Sequence, residues 1–152
     1  LLIGLITLIV ACVSLFSSCK NQDKTDRELI LEYISENNLD SLAQEGDGGL
    51  FYIVDQEGNG TAPTINNEVT VHYEGFLLDG SKFDSSIDRG NPSTFPLVNV
   101  IRGWQIGIPK FTPGGSGRLI IPSSLAYGRQ SPSPDIPANS VLIFTVELIS
   151  VR

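Results

Sequence analysis

The sequence predicts an α+β domain built from several antiparallel strands and one short helix. Apolar and polar residues alternate from Val69 to Glu74 and again from Ser140 to Arg152, the period of half-buried strands. Between these stretches, apolar residues of the segment 100–108 recur at helical spacing. Strands of this kind with a single short helix are typical of the α+β class.

The N-terminal residues 1–18 are predicted to be a signal peptide rather than part of the fold. They are apolar and uncharged, but shorter than the roughly 20 residues that span a membrane. Because the chain contains no Met, we expect the true start of the protein to lie upstream. Two interpretations of residues 15–19 remain: a secretory or anchor segment that happens to hold a cysteine, or a sequence resembling a bacterial lipobox with Cys19 lipidated. The polar segment that follows at once favours the lipoprotein, with Cys12 removed during processing.

Residues 19–48 are predicted to form an acidic tether that contains a short helix. Thr25–Glu28 fits a capping box, and the apolar stripe behind it predicts a helix from about Asp26 to Asn37, followed by an apolar pair at Leu39 and Leu42. This helix could pack on the edge of the main domain, or serve as a dimerisation arm or a spacer from the membrane. The glycines of residues 46–49 predict a hinge, after which the domain covers residues 49–152.

The domain itself reads as short strands separated by glycine and proline turns. The predicted order is a strand near 50–58, a strand from Val69, a turn at Asp79-Gly80, an extended run at 81–84, a helix from the N-cap Asn99 to Pro109, a turn at 112–117, a strand at 118–121, a loop at 123–139 without regular structure, and the final strand. A loop as long as 123–139 is usually functional or disordered.

Charge and composition exclude several classes of function. The net charge is −7 without a cluster of Lys or Arg, which argues against a nucleic-acid partner. One His and two Cys give neither a metal site nor a nucleophile–base pair, and we interpret His72 as a hydrogen-bonded residue of the sheet. What remains is aromatic, with Asp84 beside Phe83. Such side chains either simply fill the core or line an apolar binding pocket.

Four motifs carry a resemblance to a known family. VHYEGFLLDGSKFDSS, FPLVNVIRGWQIGI, LIIPSSLAYG and IPANSVLIFTVEL, in this order and spacing, resemble the FKBP-type peptidyl-prolyl cis/trans isomerases over about residues 50–152. The resemblance implies a twisted antiparallel sheet wrapped around the short helix. It also implies catalysed rotation of X–Pro bonds, without a cofactor or metal.

The resemblance also implies a pocket on specific residues of this chain. They are the catalytic Tyr73, Asp84 and Tyr127, and the substrate-binding Phe83, Val100, Ile101, Trp104, Ile136 and Phe144. Trp104 is expected to be the floor, Tyr127 to donate a hydrogen bond to a substrate carbonyl, and Ile101 to offer its backbone N–H. Asp84 is expected at the pocket edge, held by Tyr73 or Arg89. The chain departs from the family pattern at Ser93, at the 129–135 loop and at Asp135.

Two functions follow from the resemblance. One is an isomerase that assists the folding of exported envelope proteins, and the alternative is a prolyl-binding chaperone module with little turnover. The implied partners are proline-containing polypeptides, the macrolide ligands of the family, and a membrane reached through lipid on Cys19. Lys20 directly after that cysteine favours the bacterial outer membrane, with the domain in the periplasm or at the surface.

Overall fold

The computed structural model describes residues 22–152, so the predicted signal peptide and Cys19 lie outside the described residues. These residues form one antiparallel sheet, a helix α1 at 22–36 and a helix α2 at Arg102–Gly107. The seven strands are β1 (Gln44–Glu45), β2 (Phe51–Gln56), β3 (Glu68–Leu77), β4 (Lys82–Ser85), β5 (Ser93–Pro96), β6 (Ser116–Ile121) and β7 (Leu142–Val151). The predicted α+β class is therefore confirmed.

The centre of the sheet is the antiparallel pair β3 and β7, in the strand order β1-β2-β6-β7-β3-β4. Their register places Gly75 opposite Phe144 and Tyr73 opposite Val146. The other edge of β3 pairs with β5 near its start and with β4 near its end. Between these two short strands, the Ser86 side chain accepts a hydrogen bond of 2.8 Å from the Tyr73 N–H. The loop that follows β4 thus completes the edge of β3 around Tyr73.

The inner face of the sheet packs on α2. The predicted alternation is confirmed, because the apolar members of β3 and β7 are buried on this face: Val69, Val71, Tyr73, Leu142, Phe144, Val146 and Leu148. Trp104 of α2 joins the same core and is 4% exposed. A Cβ on Gly103 would lie 2.4 Å from Ile121 of β6, so glycine is what allows α2 to lie directly on the strand.

The outer face of the sheet packs on α1. Ile30 and Ile34 of α1 and Leu39 just after it are buried in a second core. It also contains apolar residues of the strands and Val141, which directly precedes β7: Phe51, Ile53, Ile120, Val141 and Ile143. Burying one such side chain contributes about 1.5–3 kcal/mol. The helix therefore packs across a face of the sheet rather than on its edge, and of the expected apolar pair only Leu39 is buried while Leu42 is exposed.

Both predicted helix starts are wrong. Residue 22 is already helical, so Thr25–Glu28 lies inside α1 and is not its N-terminal capping box. A hydrogen bond of 2.7 Å from Gln22 to Asp26, four residues apart, supports the earlier turn. In α2 the N-cap is Ile101, because Asn99 ends a separate one-turn 3-10 helix, Leu97–Asn99, that places Leu97 in the core.

Two further segments differ in detail from the prediction. The α-helix α2 ends at Gly107, and Pro109 lies in a following one-turn 3-10 helix, Ile108–Lys110. The loop 123–139 is not without regular structure, because it contains the one-turn 3-10 helix Ser123–Leu125 and a bridge between Ser133 and Ile136. In the part of the chain that the structure describes, no helix has the length and apolar content to cross a membrane.

Replacing Ile30 by Ala tests whether α1 is part of the folded unit. Ile30 is fully buried, so we expect the free energy of unfolding, measured in urea, to fall by about 2–5 kcal/mol. Leu31→Ala is the matched control on the same helix, since Leu31 is 43% exposed, and should change stability by less than about 0.5 kcal/mol. Equal small losses for the two variants would show that α1 does not stabilise the sheet.

Candidate active site

A cavity of about 350 Å³ opens between the inner face of the sheet, α2 and the loop after β6. This volume lies within the roughly 300–1,000 Å³ of small-molecule sites. Its lining residues are Tyr73, Phe83, Asp84, Phe95, Asn99, Val100, Ile101, Trp104, Tyr127 and Phe144. Every residue that the sequence predicts for the pocket is brought together here, except Ile136.

The floor of the cavity is the indole of Trp104. Three rings meet it nearly at right angles: Tyr73, Phe144 and Phe95, with centroid separations of 5.2, 5.3 and 5.8 Å. Edge-to-face pairs of this kind contribute about 0.5–1.5 kcal/mol each beyond the area they bury. The Trp104 Nε1–H is buried, and no residue in the described range accepts a hydrogen bond from it. Apart from this one buried donor, the floor is an aromatic surface.

One wall depends on a glycine in the central strand. Gly75 of β3 faces the ring of Phe83, and a Cβ at Gly75 would lie 2.5 Å from two of its atoms. The absence of a side chain lets Phe83 reach Phe144, which it meets at 86° with centroids 5.6 Å apart. The register of β3 with β4 and β7 therefore sets the shape of this wall.

The opposite wall carries a polar group of three side chains. The Tyr73 hydroxyl donates to Asp84 Oδ2 at 2.5 Å, and Arg89 Nη2 donates to the same hydroxyl at 3.0 Å. Arg89 Nη1 forms an ion pair with Asp84 Oδ1, and its guanidinium lies 5.6 Å from the Tyr73 ring centre. Asp84 is therefore held by both partners that the sequence offered as alternatives. Ser93, one of the departures from the family pattern, accepts a further hydrogen bond of 3.3 Å from Arg89.

The charges of this wall follow from its hydrogen bonds. Burial disfavours the charged form of Asp84, but the hydrogen bonds from Tyr73 and Arg89 outweigh it and hold the pKa of this carboxyl below its usual value. Burial raises the pKa of Tyr73, and the hydrogen bond to Asp84 raises it further. The pKa of Tyr127 is also raised, by burial and then by the negative charge of Asp84. Near neutral pH, Asp84 is thus an anion and both tyrosines keep their protons.

Besides the buried Trp104 Nε1–H, two hydrogen-bond donors at the cavity have no partner among the described residues. Tyr127, which is 37% exposed, lines the cavity from the loop after β6, and Ile101 lines it from the N-cap of α2. Within residues 22–152, nothing pairs with the Tyr127 hydroxyl and nothing accepts a hydrogen bond from the Ile101 N–H. Both groups are free to bind a ligand in the cavity.

The structure changes the predicted set of pocket residues at three positions. Ile136 is 6% exposed and packs in the inner core instead of lining the cavity. Phe95 and Asn99 line the cavity, although the prediction assigned neither to it. Half-buried and exposed residues alternate along 93–96, and Phe95 pairs with Val69 of β3. This alternation is the signal that could have identified Phe95. Asn99 has the residue type of a helix cap, a role that gives no signal for its exposed position in the cavity lining.

His72 lies outside this cavity and has a structural partner. Its Nδ1 lies 3.0 Å from Ser86 Oγ, the atom that also accepts from the Tyr73 N–H, which agrees with the expected hydrogen-bonded sheet residue. A smaller groove of about 210 Å³ is lined by His72 and Ile87 among other residues. Among the described residues, no group of His, Cys, Asp and Glu could hold a metal ion.

Comparison with known proteins matches the sequence and fold of this chain to one family. A family model described as FKBP-type peptidyl-prolyl cis-trans isomerase matches residues 59–149. The peptidyl-prolyl cis-trans isomerase Mip of Coxiella burnetii is 51% identical over 68% of this chain and 45% of its own length. The isomerase FkpA of Aeromonas hydrophila is 44% identical over 80% of this chain and 45% of its own length. The chain thus spans less than half the length of these curated relatives.

Solved structures agree with the sequence comparison. The crystal structure of FkpA from Escherichia coli superposes with a TM-score of 0.75 at 37% identity, covering 96% of this chain and 70% of that chain. A peptidyl-prolyl cis-trans isomerase from Pseudomonas syringae gives the same TM-score at 31% identity, covering 87% of this chain and 94% of that chain. With its aromatic cavity, its sheet and its short helix, this chain belongs to the FKBP-type peptidyl-prolyl cis-trans isomerases.

Proposed function

We propose that this chain is an enzyme that catalyses cis/trans isomerisation of X–Pro bonds in polypeptides. The observation that carries the proposal is a cavity with an aromatic floor and two unpaired hydrogen-bond donors, the Tyr127 hydroxyl and the Ile101 N–H. A prolyl ring matches such a floor in shape and polarity, and the donors suit the carbonyls that flank it.

Catalysis of this reaction requires no bond to the enzyme. The barrier of about 18–20 kcal/mol arises because rotation breaks amide resonance. The twisted amide has lost the charge separation of the planar one, so a dry aromatic cavity favours the transition state over the ground state. The residues around Trp104 supply that surface, which also explains why a pocket without a nucleophile–base pair suffices.

The polar groups have the task of holding the substrate while the bond turns. Tyr127 and Ile101 would anchor backbone carbonyls of the polypeptide, so that the two sides of the amide rotate relative to one another. Tyr73 and Asp84, fixed by Arg89, would form the polar edge that orients the residue before proline. The nonpolar residues of the cavity, with Asn99 at the rim, would bind the prolyl ring or a macrolide.

We propose a place for this activity in the bacterial cell envelope. The apolar residues 1–18 and the lipobox-like sequence before Cys19 support export and a lipid anchor. The substrates would then be exported polypeptides in the periplasm or at the outer membrane. An uncatalysed X–Pro bond isomerises in tens to hundreds of seconds, slow enough to limit their folding.

Tyr127→Phe tests the proposed function together with its donor. We expect the parent chain to accelerate exchange of a short X–Pro peptide, measured by NMR exchange spectroscopy without a coupled protease. Loss of one neutral hydrogen bond should lower kcat/KM roughly two- to tenfold, the factor for about 0.5–1.5 kcal/mol. Tyr33→Phe on α1 is the matched control and should leave the rate unchanged.

The same experiment separates the alternative function. A folded parent that binds the peptide, with shifted resonances around Trp104, but does not accelerate exchange would be a prolyl-binding chaperone module. No binding and no acceleration would contradict both functions.

The activity should be independent of pH over the neutral range. The pKa of Asp84 is lower in the folded chain than its unfolded value of about 3.9, so the contribution of this carboxylate to the stability of the folded site is complete above about 3.9. That contribution, and the activity that depends on it, is lost as the pH falls through the lower folded value. Deprotonation of the tyrosines should lower activity only above about 10. A pH profile of kcat/KM checks this, and Asp84→Asn should abolish the acidic limb. An inflection within the neutral range would contradict this assignment of the charged groups.

The lipid anchor can be tested by mass spectrometry of the membrane-extracted protein. We expect an acylated N-terminal Cys19, and no acylation in a Cys19→Ala variant. A free N-terminus at another residue of the parent would contradict the anchor and leave the isomerase proposal untouched.

A further inference from the structure

A buried carboxylate on α1 contacts the loop that carries Tyr127. Asp26 is fully buried, although it belongs to a helix whose other acidic residues are exposed. Its Oδ2 accepts two hydrogen bonds from Ser123, from the N–H at 2.8 Å and from the hydroxyl at 2.5 Å. Its Oδ1 accepts one from Gln22 at 2.7 Å. Burying a carboxylate costs free energy unless it is hydrogen-bonded, and these three donors satisfy it. The two bonds from Ser123 fix the position of Ser123 relative to α1.

Ser123 in turn holds both neighbours of Tyr127. Its carbonyl accepts hydrogen bonds from the Ala126 N–H at 3.0 Å and from the Gly128 N–H at 2.8 Å. The Tyr127 backbone is therefore enclosed between two amides that share one acceptor. A short path of hydrogen bonds runs from the Asp26 side chain through Ser123 to the residue that lines the cavity.

A second contact supports the same loop. The segment between β1 and β2 passes so close to the loop that a Cβ on Gly48 would lie 3.1 Å from the Leu125 side chain. Leu125 packs against the inner core. The N-terminal part of the chain thus approaches the Tyr127 loop at Ser123 and at Leu125.

We propose that Asp26 is a positioning residue for Tyr127, so that helix α1 is part of the support of the active site. The inference rests on the proposed isomerase function, because Tyr127 acts there as a donor. Asp26 touches no substrate. It fixes Ser123, Ser123 fixes the backbone on both sides of Tyr127, and the hydroxyl is thereby held at the cavity. Without the hydrogen bonds from Ser123 to Asp26, the Ser123 carbonyl would no longer be held in place. The Ala126 and Gly128 N–H groups that bind it, and Tyr127 between them, would then be less well positioned.

The test is a double-mutant cycle between Asp26 and Tyr127 in the full chain. Asp26→Asn keeps the size of the side chain but removes the charge that strengthens both hydrogen bonds to Ser123. We expect it to lower kcat/KM by part of the roughly two- to tenfold loss expected for Tyr127→Phe and by no more, because it acts only through that hydroxyl. In the Tyr127→Phe background the same substitution should cause almost no further loss, because the hydroxyl that it positions is gone.

Two additional variants distinguish positioning from general destabilisation. Ser123→Ala removes the hydroxyl while keeping the backbone N–H, and should reproduce the effect in weaker form. Ile30→Val loosens the packing of the same helix without touching Ser123, so it should lower the melting temperature and leave kcat/KM unchanged. If Asp26→Asn fails to fold, the cycle is run with Ser123→Ala.

A readout that does not require activity completes the design. With ¹³C-labelled tyrosine, the Tyr127 ring signals should shift or broaden in Asp26→Asn and in Ser123→Ala, and remain unchanged in Ile30→Val. The proposal is overturned if these signals do not change, or if the losses of Asp26→Asn and Tyr127→Phe simply multiply. If the parent is inactive, the proposed function fails, and the ring signals alone decide whether Asp26 positions Tyr127.

Discussion

The interaction on which the rest of the structure depends is the burial of the Trp104 indole under the rings of Tyr73, Phe95 and Phe144. These rings come from α2 and three different strands, so their contacts connect elements that are distant in sequence. The register of β3 with β7 sets the positions of Tyr73 and Phe144, and Gly103 lets α2 approach closely enough to meet them. Trp104 is part of this core and also lines the cavity. The same aromatic rings therefore form part of the core and line the cavity.

A second constraint is that the polar side chains of the site must pair with one another, so that they do not bring water to the aromatic floor. Arg89 neutralises Asp84 and also contacts the Tyr73 hydroxyl, so the charges of that wall satisfy one another and leave the cavity apolar. The two unpaired donors, at Tyr127 and Ile101, are left for the substrate. The outer layer has a comparable role, since α1 covers the back of the sheet and contacts the loop of Tyr127 through Ser123. The site is thus supported both by the inner face of the sheet and by α1, which packs on its outer face.

Much of this arrangement could be predicted from local patterns and motifs. Alternation alone indicates which residues of β3 and β7 face the core, and the motifs of the family place Tyr73, Phe83, Trp104 and Tyr127 at one cavity. The errors lie where long-range packing decides. Thr25 and Asn99 are residue types that favour helix caps, but α1 is already helical at residue 22 and α2 begins only at Arg102. Asn99 instead ends a one-turn 3-10 helix that buries Leu97 in the core, a tertiary contact that local sequence does not show. Ile143 and the apolar face of α1 bury one another, which no period in a single segment reveals. Ile136 has the same apolar character in the core as at a rim, so its sequence position could not place it.

In the proposed complex, the prolyl ring of the substrate lies on the Trp104 indole. The most direct measurement is a set of intermolecular nuclear Overhauser effects between an isotope-labelled X–Pro peptide and the chain. Contacts from the proline ring protons to Trp104 and Phe144, with the preceding residue near Asp84, are the predicted result. Contacts of the proline ring with the groove beside His72 and Ile87, and none with Trp104, would contradict the account.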